Sequence, residues 1–216
     1  MRHTILSAFE RLPYFTIEGF RQAAGEAISD DAHARTALYR WAKAGHIIQL
    51  KKGLYMHRRF LEQHRREAEF SLLVSAILLP QSYLSLEYVL QEHGVLTEVT
   101  YPVTAITPKN TRTIINSLGT FVYRHIRPNL YLGFQNSEAF GVPIAQASLA
   151  KALFDYLYLR PLASIARRYD LAEELRLNLD EFTQAERDEF AGYVTASSLS
   201  KMELILHNLE NGVWRP

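Results

Sequence analysis

The chain has 216 residues and not one cysteine. Structural disulfides and thiolate metal sites are therefore excluded, which fits a cytoplasmic protein better than a secreted one. No apolar run approaches the about eighteen residues of a membrane span, and the longest, LLVSAILLP from Leu72, has the length of a buried helix. A soluble protein is expected. The N-terminus, MRHTILSAFERLPYF, has no sustained apolar stretch with a small-residue cleavage site, so no secretory signal is read.

Catalytic signatures are equally scarce. The eight histidines include no His-x-x-x-His pair, and His57, His64, His93 and His125 are scattered, which argues against zinc. Glycine-rich phosphate loops are missing. No Asp/Glu-x-Lys follows a strand with an acidic partner upstream, as a nuclease would have. The one Gly-Ser-like turn, Leu118-Gly119-Thr120, lacks the neighbouring carboxylates of a nucleotidyltransferase. Ser148-x-x-Lys151 has the spacing of a lysine-activated serine, yet helix phase accounts for both residues. Ser148 can cap a helix, and Lys151 can pair with Asp155 on its exposed side. No catalytic residue, metal or cofactor is therefore expected.

What is present is 48% hydrophobic composition, enough for one large or two small globular domains. The net charge of +1 conceals an uneven distribution. Residues 1–66 hold twelve lysines and arginines against six carboxylates, whereas residues 67–216 hold twelve against seventeen. A basic unit joined to an acidic one suggests nucleic-acid contact at the first. From charge alone, a solvated positive face is an equal reading.

Ile5, Leu6, Phe9 and Leu12 recur at helical spacing, and Pro13 closes that first helix. A second begins at Thr16, a suitable N-cap, and runs to Gly25. Ser29, Asp30 and Asp31 supply capping oxygens for a third, which stops at Gly45. On this third helix Ala34, Leu38 and Trp41 fall on one side, flanked by Ala37 and Ala42. His33, Thr36, Tyr39, Arg40 and Lys43 turn outward, as a face that could line a DNA groove. A hairpin follows. Ile47, Ile48 and Leu50 form one strand, Lys51-Lys52-Gly53 the turn, and Leu54, Tyr55 and Met56 the return. Both ammonium groups are expected to project from the tip towards phosphates, with Arg58 and Arg59 at the base. Three helices and a basic hairpin form the winged helix-turn-helix pattern, in which the third helix enters the major groove and the wing holds the backbone. Residues 1–66 are expected to bind double-stranded DNA by themselves.

WAKAGHIIQLKKGLYMH, from Trp41, resembles the recognition-helix end and wing of the AbiEi family of antitoxin transcriptional regulators. YLSLEYVLQEHGVL, from Tyr83, and ASLAKALFDYLYLRP, from Ala147, are similar to two further blocks of that family, in the expected order. The family's acidic residue before the lysine is replaced by Ala150, and the C-terminal third carries no matching motif. The resemblance implies a repressor of its own operon that counteracts a co-encoded nucleotidyltransferase-type toxin.

The remainder, residues 67–216, reads as an α+β unit. Residues 58–70 form a charged connecting helix or linker, 70–79 a buried helix ended by Pro80, and Ser85 caps the next helix. In that helix Leu86, Val89 and Leu90 face inward, and Gly94 closes it. YPVTAIT, RTIIN, GTFVYRHI and NLYLGF read as strands of a mostly antiparallel sheet. Leu149, Ala152, Leu153, Tyr156 and Leu157 mark an amphipathic helix, and helices over residues 164–169, 183–195 and 199–209 finish the chain. Glu186 and Glu189 lie outside the apolar stripe of their helix and are candidates for contact with a protein partner. The sequence thus predicts a DNA-binding repressor and antitoxin of the AbiE type, not an enzyme, acting on an operator of inverted repeats. The alternatives are a nuclease or other DNA-modifying enzyme targeted by the winged unit, and a stand-alone regulator with a small-molecule pocket in the sheet.

Overall fold

The computed structural model describes residues 2–28, 30–97, 102–161 and 171–215. Three helices open the chain: α1 (Arg2–Ser7), α2 (Ile17–Ala24) and α3 (Asp31–Lys43), with a short strand β1 (Phe15–Thr16) between the first two. The first helix is shorter than its apolar spacing predicts. It gives way to turns after Ser7, Phe9 stacks on Phe15 at 4.2 Å, and Leu12 is left exposed. An aromatic contact made across the turn competes with one more helical turn that has no cap. The next two helices follow their caps. Thr16 Oγ1 accepts from the Gly19 N–H at 3.0 Å, and Asp30 Oδ1 accepts from the His33 N–H at 2.7 Å.

Strands β2 (Ile47–Lys51) and β3 (Leu54–His57) form the hairpin, and β1 joins β3 to give an antiparallel sheet ordered β1-β3-β2. Lys51 pairs with Leu54, so the tip is Lys52-Gly53, with Gly53 at φ +78°. The charged connector is helical over α4 (Arg58–His64).

Then come α5 (Phe70–Leu78), β4 (Tyr83–Leu84), α6 (Glu87–Glu92), β5 (Val103–Thr107), β6 (Arg112–Asn116), β7 (Gly119–His125), β8 (Phe134–Ala139) and β9 (Val142–Ala147). Helices α7 (Leu149–Leu159), α8 (Leu171–Glu174), α9 (Gln184–Ser197) and α10 (Ser200–Asn211) follow. The described residues therefore build a mixed α/β fold of ten α-helices and two sheets. The larger sheet is ordered β6-β7-β5-β4-β9-β8, and three of its five pairings are antiparallel. The helix expected over residues 164–169 lies outside the described residues. No described helix is long and apolar enough to cross a membrane.

Two expectations for this unit are corrected. NLYLGF is not a strand up to its last residue, Phe134, which opens β8: Pro128 starts a 3-10 turn, and Tyr131 and Phe134 pack on the Tyr83 ring at 5.3 and 4.6 Å. The strand pair that the sequence reading missed is β8–β9, whose polar FQNSEA half has low β propensity. Its turn, Phe140-Gly141, has positive φ at both residues, 54° and 75°, which suits a tight two-residue hairpin. The second correction concerns Ser85, which does not cap α6. It is fully buried, and its Oγ donates to Asp155 Oδ2 at 2.8 Å.

The buried side chains form two clusters. Leu6, Phe9, Phe15, Phe20, Ala34, Leu38, Ile47 and Tyr55 close the N-terminal helices. Ile48, Leu50, Leu54, Met56 and Phe60 belong to the larger cluster, which extends to Trp214. The hairpin is thus buried on both faces, and the two cores part within it and not at residue 66. A strand covered on both sides needs apolar residues on both, which is why IIQL and LYM are nearly continuous runs and do not alternate.

Candidate nucleic-acid interface

Helix α3 buries Ala34 and Leu38 completely, and this sets the phase of every other side chain on it. His33, Thr36, Tyr39, Arg40 and Lys43 are all exposed, Tyr39 by 68%. A hollow of about 320 Å³ runs beside them, lined by His33, Thr36, Arg40, Ala37 and the Trp41 ring. Thr36 Oγ1 donates to the Ala32 carbonyl at 2.9 Å, so its hydroxyl remains an acceptor towards a ligand.

The cations of the first unit fall into two groups. Arg21 meets Asp31 at 2.7 Å, Arg35 meets Asp31 at 3.8 Å, Arg59 meets Glu10 at 2.7 Å, and Arg58 meets Glu62 at 2.9 Å. Arg11, Arg40, Lys43, Lys52, Arg65 and Arg66 have no ion-pair partner among the described residues, and of these Arg40 and Lys43 stand on the exposed face of α3. Of the expected contacts, Arg58 is exposed yet tied along its own helix. Lys51 departs further from expectation. Its Nζ does not project from the tip but donates to the Leu78 carbonyl at the end of α5, at 2.6 Å. Burial, with the nearby charges of Arg112 and Lys109, holds this ammonium below the ordinary lysine range. The physical reason is register: as the last paired residue of β2, Lys51 follows the strand's face towards the second unit, and only Lys52 occupies the turn.

The candidates for a protein partner are also occupied from within. Glu186 Oε2 accepts from the Thr183 N–H and hydroxyl, both at 2.8 Å, closing a capping box at the start of α9. Glu189 Oε1 accepts from Ser148 Oγ and from Tyr193 Oη, each at 2.6 Å. Both carboxylates lie outside the apolar stripe, as expected. Neither is a free surface charge.

The pair Lys151–Asp155 forms at the predicted spacing but on the wrong side of the surface. Both residues are completely buried. Asp155 Oδ1 takes the Lys151 ammonium, and its Oδ2 accepts from Tyr83 Oη at 3.0 Å and from Ser85 Oγ. The rings of Tyr83, Phe154 and Tyr193 surround the lysine, with Phe154 centred 4.8 Å from Nζ. Burial drives the Asp155 carboxyl up and the Lys151 ammonium down, and their mutual attraction opposes both shifts. A signal was available in LAKALFDYLYL, where apolar residues surround the charged pair on every side of the helix. Ser148 caps α7 by accepting the Lys151 N–H at 3.1 Å, so its hydroxyl does not face the amine as a nucleophile's would. No group of three or more His, Asp or Glu able to hold a metal occurs among the described residues.

The chain matches no family model and no curated protein.

Proposed function

We propose that this chain is a DNA-binding transcriptional regulator whose N-terminal unit acts as a winged helix-turn-helix. One observation carries the reading: the exposed face of α3 presents His33, Thr36, Tyr39, Arg40 and Lys43, with Arg40 and Lys43 unpaired, while neighbouring cations are neutralised by carboxylates. The order helix, strand, helix, helix, hairpin supports it, because it sets a capped third helix beside a wing. In this reading α3 enters the major groove of a double-stranded operator of inverted repeats. Thr36 and Arg40 read base edges, and Lys43 and Lys52 meet phosphates. The resemblance of residues 41–57, 83–96 and 147–161 to AbiEi antitoxins extends the reading to repression of its own operon and neutralisation of a nucleotidyltransferase-type toxin. The chain then acts by binding and not by catalysis.

The test is selection of bound duplexes from a random library by the intact chain, followed by affinity measurements on the selected sequence. Arg40→Ala is expected to lower the preference for that sequence by about 1–3 kcal/mol while leaving binding to unrelated DNA nearly unchanged. Failure of the wild-type chain to retain any duplex at low salt would sink the proposal.

A further inference from the structure

A hollow of about 350 Å³ lies between the larger sheet, the start of α6 and the end of α7. Thr104 stands opposite Val122 in the β5–β7 register, and Arg124 is two residues further along β7, so these three share a face and form the floor. Leu86 and Glu87 close the hollow from α6, and Leu159, Arg160 and the buried Tyr156 close it from α7.

Its α6 wall stands in place without a ligand. Leu86 is buried, with φ at +61° and ψ at −141°, a backbone conformation rarely adopted by a residue with a side chain. Thr104 holds it there from both sides. The Ser85 N–H donates to the Thr104 carbonyl at 3.2 Å, Thr104 Oγ1 donates to the Ser85 carbonyl at 2.8 Å, and the same oxygen accepts from the Tyr88 N–H at 3.0 Å. Backbone held in this way is characteristic of ligand clamps.

The hollow also gathers charge. Residues 67–216 have more carboxylates than cations, yet neither Arg124 nor Arg160 has an ion-pair partner among the described residues. The Arg160 guanidinium lies 4.2 Å from the centre of the Tyr156 ring, and stacking occupies its face and not the N–H groups in its plane. A cation at a helix C-terminus can serve simply to satisfy the last carbonyls. Here Lys201 does so, its Nζ donating to the Tyr158 and Arg160 carbonyls at 2.9 and 2.5 Å. The Arg160 side chain is left without that task.

The geometry points to a binding site for a small organic monocarboxylate, its carboxylate taken up by Arg124 and Arg160 and its apolar body lying against Leu86, Val122 and Leu159. Two guanidiniums and the Glu87 carboxylate leave the lining one positive charge, which suits a monoanion better than a doubly charged phosphate ester. A concave, largely apolar lining suits a small molecule and not a polymer backbone. This site goes beyond the regulator reading and does not depend on it.

The test titrates the intact chain with anilinonaphthalene sulfonate, a fluorescent monoanion with an apolar body, and competes it with sodium octanoate. Saturable binding is expected, displaced by octanoate but not by acetate, which lacks the apolar body, or by octylamine, which lacks the anion. Arg124→Ala and Arg160→Ala should each weaken it about tenfold, the loss of one charge-assisted hydrogen bond. Glu87→Gln should tighten it by removing a like charge. Arg112→Ala should leave it unchanged, because Arg112 pairs with Tyr123 and so lies on the other face of the sheet. Arg160→Gln replaces the alanine variant should that one melt below the wild type. Absence of saturable binding by the wild-type chain would overturn the proposal, and so would wild-type affinity in folded variants at both Arg124 and Arg160.

Discussion

Lys151 and Asp155 carry the sharpest residue-scale expectations. Asp155→Asn leaves an ammonium in an aromatic cage without its counter-charge, and a loss of about 3–5 kcal/mol is expected in urea unfolding. Lys151→Met combined with Asp155→Asn should cost less than Asp155→Asn alone. No charge is then buried, and the asparagine oxygen still accepts from Tyr83 and Ser85. A double variant at least as damaged as the single one would refute this account. The buried phenols set a second expectation. Burial pushes Tyr123 from the ordinary 10.0 up to about 12, and Tyr83 and Tyr193 are also raised, by burial first and then by Asp155 and Glu189 respectively. The folded chain keeps these protons while the unfolded chain loses them. Stability contributed by Tyr123 is therefore full below pH 10 and is lost as pH rises through about 12. Urea midpoints measured across that window should fall with pH, and Tyr123→Phe should flatten the fall.

At the scale of the element, α9 shows how a helix that reads as a partner surface can be committed to its own fold. Its N-terminus is closed by Thr183 and Glu186, and its middle is tied through Glu189 to the cap of α7. Glu186→Lys breaks the capping box and sets a positive charge at the positive end of the helix, with an expected loss of about 1–2 kcal/mol. Glu189→Ala leaves the hydroxyls of Ser148 and Tyr193 without their acceptor, at a further cost of about 1–2 kcal/mol. Chemical unfolding checks both. If neither variant shifts the midpoint, these carboxylates are free after all and regain standing as partner contacts. The helices were the most legible elements, because caps and apolar spacing act within a few residues. The β8–β9 hairpin was not, since a polar edge strand takes its stability from the strand it pairs with.

For the whole molecule, the hairpin is the joint. The fragment 1–66 follows the boundary in charge but would expose Ile48, Leu50, Leu54, Met56 and Phe60, all buried in the intact chain. At about 1.5–3 kcal/mol per side chain, this forfeits on the order of 10 kcal/mol, comparable to the whole stability of an ordinary domain. The isolated fragment is therefore expected to lack a cooperative thermal transition, in contrast to the reading that it binds DNA alone. A sharp melt and native-like DNA affinity in the fragment would contradict this.

Sequence alone determined the caps at Thr16, Asp30 and Ser148, the outward face of α3, the two lysines of the hairpin and the closing turns at Gly25 and Gly45. Each depends on residues within one or two turns of one another, so chain order suffices to specify it. Tertiary structure decided which way Lys51 points, whether Lys151 and Asp155 see water, that Glu189 is spent on Ser148 and Tyr193, and that Lys109 and Arg112 stand beside the wing. Those outcomes depend on groups brought together from distant parts of the chain. Burial and the local field are set by the packed neighbours, and a spacing of four residues is the same whether the helix lies on the surface or in the core.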